Sequence, residues 1–342
     1  MSMKALFEVP LTKIASLLPL SSLIKRSNQR LLLPFYHVVS NEMLPHIEHL
    51  YPIKTEQAFA KDLDFILRYF HPIGVKELMA VVNGEIELKR NSFFLSFDDG
   101  LKEVYEVIAP ILIKKGIPAA FFINSAFVDN QDLFYRYKAS LLIANFEKTP
   151  SLLQEKGVQV LFEQNGVNPA TYKKNLLSIN YQNRFFLDEL GLAMQVDFAD
   201  FLQTKQPYMS KTQLTELEAQ GFYIGAHSID HPHYHLLPLE EQLRQTHESM
   251  AYVQKYFQLT HKLFAFPFTD FGVPAAFFHS VFESNRLDLS FGTAGLKKDT
   301  FARNLQRVPM EKGRQSAKKI IHSEYLYYFL KALIGKNRIH RL

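Results

Sequence analysis

The stretch that most constrains this chain is Phe93-Phe94-Leu95-Ser96-Phe97-Asp98-Asp99-Gly100, an apolar run that ends in two carboxylates and a glycine. An apolar run bounded so abruptly by a turn signal predicts a covered strand of an α/β sheet or barrel. Both carboxylates then lie at the strand's C-terminal edge. Parallel α/β architectures gather ligands and catalytic groups there, because the βα loops vary over a fixed scaffold. Extended geometry carried through Asp98 and Asp99 would send their side chains to opposite sides, one toward a metal and the other toward a substrate water. An Asp-Gly turn followed by a helix cap gives the same letters, so the stretch needs partners elsewhere.

Leu31-Leu32-Leu33-Pro34-Phe35-Tyr36-His37 is a second apolar strand, and it ends in an imidazole. Thr55 caps a helix whose Phe59, Leu63, Ile66 and Phe70 recur at helical spacing, and Val75 to Val82 reads as a shorter helix. After Gly100, the apolar face of Val104, Val107, Ile108, Ile111 and Leu112 closes at Gly116 and leads into the strand Ala119 to Ile123. Strand, helix and strand in so short a span make a βαβ unit and call for a parallel sheet. Strand signals fade from Asp129 to Pro207, which reads as a helical insertion. They return after the capping box Ser210-Lys211-Thr212-Gln213, in Phe222 to Ala226. That strand runs into His227-Ser228-Ile229-Asp230-His231-Pro232-His233-Tyr234-His235, four histidines in nine residues. Pro232 disfavours helical backbone at His231, so His227 and His231 converge from a strand end and its loop.

Composition narrows the chemistry. With 342 residues and 47% hydrophobic content, the chain can bury a full core. It has no cysteine, so a metal here must use His, Asp or Glu. A net charge of +5 is too mild and dispersed to argue for nucleic acid. No apolar stretch approaches the roughly 18 residues of a spanning helix, and Lys4 and Glu8 interrupt the N-terminus in a way that argues against a signal peptide. The expected setting is cytoplasmic. Peripheral membrane contact is reserved for the termini, where residues 1–30 and the basic segment 316–342 read as amphipathic helices that either pack on the body or lie on a membrane surface. No protein partner is inferable.

Ser96-Phe97-Asp98-Asp99-Gly100 and His227-Ser228-Ile229-Asp230-His231 together resemble the first two motifs of the polysaccharide deacetylase family (NodB-homology, carbohydrate esterase 4). The resemblance covers roughly Leu31 to Met310, interrupted by the insertion. It implies a distorted (β/α)7-type barrel, placed here over 31–315; the helical insertion at about 129–207 and the helical extensions at both ends are read from the residue pattern. It also implies a divalent metal on Asp99, His227 and His231, most simply zinc, with iron, manganese or cobalt compatible with the same donors. Asp98 would be the general base in removing an acetyl group from a carbohydrate.

Two family features are altered. Where the third motif usually reads Arg-x-Pro-Tyr, this chain has Ala265-Phe266-Pro267-Phe268, which resembles a Phe-Ala-Tyr-Pro-Phe subgroup. Phe266, Pro267 and Phe268 are then the expected substrate wall, with a backbone N–H near Phe268 as an oxyanion donor. The arginine that would orient the base is missing, and Arg307 is the candidate replacement, since a fixed guanidinium holds a carboxylate bidentately. No Leu-x-His motif is recognisable: Ile320-Ile321-His322 fits in letters but sits in a helical pattern. Tyr36-His37 resembles the Tyr-His of the poly-N-acetylglucosamine deacetylases, which makes His37 the candidate general acid. The absence of Trp removes a common stacking platform and favours a small or lipid-linked acceptor. A hydrolase of a non-sugar amide, and a catalytically impaired glycan-binding or membrane-surface protein, are the competing readings.

Overall fold

The computed structural model describes residues 18–341. Thirteen short strands follow one another along the described residues: β1 Leu31–Leu32, β2 Pro34–Tyr36, β3 His71–Pro72, β4 Ser92–Phe93, β5 Leu95–Phe97, β6 Ala119–Ile123, β7 Tyr223–Ala226, β8 Leu263–Ala265, β9 Leu289–Gly292, β10 Lys298–Asp299, β11 Asn304–Gln306, β12 Val308–Pro309 and β13 Arg338–Ile339. Eight of them form one sheet in the order β11-β9-β8-β7-β6-β5-β2-β12, with every pairing parallel. β11 and β12 are halves of a single run interrupted at Arg307. The first half pairs with β9 and the second with β2, so the two ends of the sheet are one piece of chain. Seven staves therefore close into the expected distorted (β/α)7-type barrel, and the seam falls at Arg307.

Strand alternation decides what each stave sends inward. Leu33, Phe94, Ala120, Phe122, Leu263, Ala265, Leu289 and Phe291 form one buried cluster inside the barrel, stopped at the N-terminal end by Val75, Leu78 and Met79 of helix Val75–Val82. Gly225 faces the same interior, where a Cβ would meet the Phe122 ring at 2.5 Å. The alternate residues, including Phe93, Leu95, Phe97, Phe121, Ile224 and Phe264, point outward. There they pack under helices Glu56–Tyr69, Lys211–Ala219, Leu239–Tyr256, Ala275–Glu283 and Ala317–Leu333. Extending the inward period by one residue past each apolar layer reaches His37, Asp98, Asn124, His227 and Arg307. Polar chemistry is thus the top layer of the barrel interior.

Local signals account for the helix ends. Thr55 accepts from the Ala58 N–H, Ser210 and Gln213 close a reciprocal capping box, and Gly116 ends its helix in the left-handed region at φ 64°. Between β6 and β7 the chain passes through helices Tyr135–Lys148, Lys156–Gln164, Tyr172–Leu177, Phe185–Ala193 and Phe198–Lys205, which share a second hydrophobic core with the loop after β2. Helix Ala317–Leu333 buries Ile321 and Leu326 against helices Leu20–Ser27 and Glu56–Tyr69, and Tyr325 donates to the Gln29 carbonyl. The apolar face expected for a membrane surface is largely spent on the body, although Leu333 stays exposed. Of the expected N-terminal helical segment, residues 1–17 lie outside the described residues. No helix of the described chain is long and apolar enough to cross a membrane.

Candidate active site

At the C-terminal mouth of the barrel, Asp98 continues the inward row of Phe94 and Ser96, whereas Asp99 breaks from the strand at φ 72°. Extended geometry therefore ends at Asp98. The two carboxylates diverge because the backbone turns, and Gly100 (φ 71°) continues the turn past Ile123, which its own Cβ would crowd at 3.1 Å.

Arg307, fully buried at the seam, donates to both oxygens of Asp98, from Nη1 to Oδ1 and from Nη2 to Oδ2, each at 2.7 Å. Nη1 also reaches Ser96 Oγ at 3.1 Å, and the guanidinium lies 4.2 Å over the Phe35 ring. Burial drives the Asp98 pKa up, but Arg307, with help from His227 and His37, overcomes this and holds the carboxyl below its usual range. The structure thus brings the candidate arginine onto the candidate base.

On the other side, His227 Nε2 and His231 Nε2 stand 3.4 and 3.1 Å from Asp99 Oδ1. Their ring nitrogens and the Asp99 oxygen all lie within 4.8 Å of one another. His227 Nδ1 meets the Ala265 carbonyl at 2.8 Å, which fixes the proton on that nitrogen and turns the Nε2 lone pair toward Asp99. Burial lowers the His231 pKa and favours the neutral, ligating form, against the pull of Asp99. Asp99 Oδ1 is buried without a hydrogen-bond partner. A buried carboxylate oxygen facing two imidazole lone pairs is costly unless a cation sits between them, so the donor set fits a divalent metal. His231 (φ 63°) and Phe268 (φ 57°) also occupy the left-handed region, so backbone strain collects around this group.

His37, from the end of β2, keeps 24% of its side chain exposed. Its Nδ1 lies 2.5 Å from Glu311 Oε2, while Glu311 Oε1 accepts the His37 and Val38 N–H groups at 3.0 Å. Burial lowers the His37 pKa, but Glu311, aided by Asp99 and Asp98, outweighs it and lifts the imidazole to about 9.

The expected substrate wall is only partly in place. Phe268 stacks on His233 at 3.6 Å and touches His231 at 4.6 Å, so it borders the site. Pro267 is buried beside it. Phe266 is a correction: its ring packs outward against Tyr234, Phe264, Phe277 and Phe278, in the core beneath the helices. Strand alternation with Phe264 accounts for this. His322 lies on helix Ala317–Leu333, its Nδ1 against the Lys318 carbonyl, with Phe65 as ring neighbour, and it plays no part at the mouth. Asp230 accepts from Gln245 and Tyr181 and pins the histidine loop to its surroundings.

Several groups at the site carried no readable signal. Tyr137, on the first helix of the insertion, donates to Asp99 Oδ2 at 3.2 Å. Phe134 lies 4.5 Å from His231. Glu311 is legible in principle, being the first polar residue after β12 Val308–Pro309.

With this geometry in view, the matching family model is polysaccharide deacetylase, over residues 85–277. The chain belongs to that family. Family membership makes it an enzyme of carbohydrate deacetylation. Among solved structures, IcaB from Ammonifex degensii is similar over 86% of this chain and 97% of its own, with 17% identity and a TM-score of 0.54. The Streptococcus pyogenes deacetylase PplD, in complex with acetate, matches over the same shares with 13% identity and a TM-score of 0.55. Such identities speak for the fold. Among curated proteins, none matches the chain.

Proposed function

We propose that this polysaccharide deacetylase family member is a metal-dependent hydrolase that removes N-acetyl groups from an amino sugar. The observation that carries the reading is the bidentate Arg307–Asp98 pair standing beside the Asp99, His227 and His231 donors. It restores the oriented base that the third motif lacks, and so favours an active enzyme over an impaired binding protein.

A divalent cation held by Asp99, His227 and His231, with zinc as the first choice, would supply Lewis acidity to an acetamide carbonyl and to water. Asp98 stays ionised at neutral pH and accepts the proton of the attacking water, with Arg307 fixing both of its oxygens. The pair trades basicity for position and charge state. His37, kept protonated by Glu311, gives its proton to the departing sugar nitrogen, because an amide anion is too poor a leaving group. Phe268 and His233 form a stacked aromatic edge for the sugar ring, and a backbone N–H near Phe268 is the oxyanion donor.

The test is acetate release from a panel of N-acetylated and O-acetylated sugars and simple cyclic amides, with metal content measured in parallel. Asp98→Asn should lower acetate release by about 10²–10⁴-fold while retaining the metal. Wild-type-like turnover in that variant would unseat Asp98, and hydrolysis confined to the cyclic amides would unseat the sugar.

A further inference from the structure

At the barrel end opposite the catalytic mouth lies a groove of about 760 Å³. It opens where the N-terminal ends of β1, β3 and β4 meet the C-terminal turns of helices Leu20–Ser27 and Glu56–Tyr69. Lys25, Arg30, Arg68, Lys89 and Arg90 line it together with His71, and no Asp or Glu does.

None of these five cations forms an ion pair among the described residues. Some surface cations elsewhere are matched, as in Lys115 with Asp64, Lys138 with Asp188 and Arg244 with Glu241, and others stand alone; what sets the groove apart is that five cations line one concavity with no acid among them. Arg30 uses one nitrogen on the Leu88 carbonyl, which holds the guanidinium at the rim and leaves its other donors open. The whole chain carries 39 Lys and Arg against 34 Asp and Glu. Setting the groove's five aside leaves 34 against 34, so the protein's excess charge equals the charge of this one concavity. Helix C-termini attract cations, and Lys25 and Arg68 stand in such last turns. Each terminus amounts to only about half a charge, so the two offset roughly one of the five.

We infer that this groove binds a phosphate-bearing anion. Arginine forks match phosphate oxygens bidentately, and a concave wall of one sign focuses its field on a compact, multiply charged ligand. Because the active-site residues sit on the far ends of the staves, the ligand is not the reacting sugar. A lipid headgroup and a free phosphate compound present the same chemistry, and the experiment separates them.

Full-length protein is titrated with inorganic pyrophosphate by calorimetry and co-sedimented with phosphatidylglycerol or phosphatidylcholine vesicles at low and high salt. The Arg68→Glu/Arg90→Glu double variant is run beside it, with Lys89→Gln as a milder change. At least one anionic probe should bind, weaken at high salt, and lose about tenfold or more in the double variant. Acetate release, read from the other end of the barrel, should stay unchanged in both variants. Binding to phosphatidylglycerol but not pyrophosphate identifies a lipid headgroup, and the converse a free anion. No binding to either probe, or binding that survives the double variant, overturns the inference. The proposed deacetylase reading is untouched by either result.

Discussion

The two ends of the barrel handle charge in opposite ways. At the mouth that holds the candidate site, Arg307 answers Asp98 and Glu311 answers His37, while Asp99 has Tyr137 on Oδ2 and turns Oδ1 to the two imidazoles. At the other end, Lys25, Arg30, Arg68, Lys89 and Arg90 face solvent with no carboxylate lining the groove among the described residues. The difference follows from the dielectric. An unpaired charge in the barrel interior costs several kcal/mol, whereas water and salt screen the same charge at a groove rim. Buried charge needs a partner at a fixed position, from the chain itself or, at Asp99, from a cation its donors would hold, while exposed excess charge is free to find one in solution.

Four single substitutions and one double variant break or sharpen this contrast, beginning with the largest expected effect. Arg307→Met strands Asp98 and should cost about 3–5 kcal/mol in chemical denaturation, together with most acetate release. Adding Asp98→Asn should recover part of the stability and none of the activity, and a strictly additive double-mutant cycle would refute the coupling. Tyr137→Phe takes one donor from Asp99 and should weaken metal binding about 10–100-fold, read by cobalt titration, with the fold retained. Unchanged affinity would reduce Tyr137 to packing.

Glu311→Gln acts through His37. The wild-type imidazole stays protonated up to about pH 9, so activity that needs the proton fails as pH rises through that value. Without the Glu311 charge, the alkaline limb of the pH–rate profile should move to lower pH. The stability that this pair adds to the fold is fully present below the ordinary histidine pKa of about 6.5 and lost as pH climbs toward 9. A limb that does not move would remove His37 from the proton path. The smallest expected effect is Arg68→Glu, which should change folding stability by no more than about 0.5 kcal/mol in thermal unfolding and leave turnover alone.

Much of the barrel could be read directly from residues. Apolar runs ending in Asp98-Asp99 and in His227 mark staves, because a strand covered on both faces has no polar alternation to confuse it. Period-two counting also reaches the inward placement of Asp98, His227 and Arg307. Applied to Phe264 and Phe266, it would have removed Phe266 from the substrate wall. Tyr137 and Phe134 could not be found in this way. Tyr137 and the N-cap Phe134 belong to the first helix of an insertion whose periodicity reports only its own core, not what its first turn covers.

Sequence alone determined that acid and imidazole groups stand at strand ends in a parallel barrel, since strand period and turn chemistry are local properties. Only the tertiary structure decided which of them meet. Arg307 lies 209 positions from Asp98, and Glu311 lies 274 from His37. Those encounters depend on where the seam strand changes partners between β9 and β2, and closure of the ring is a property of all seven staves at once.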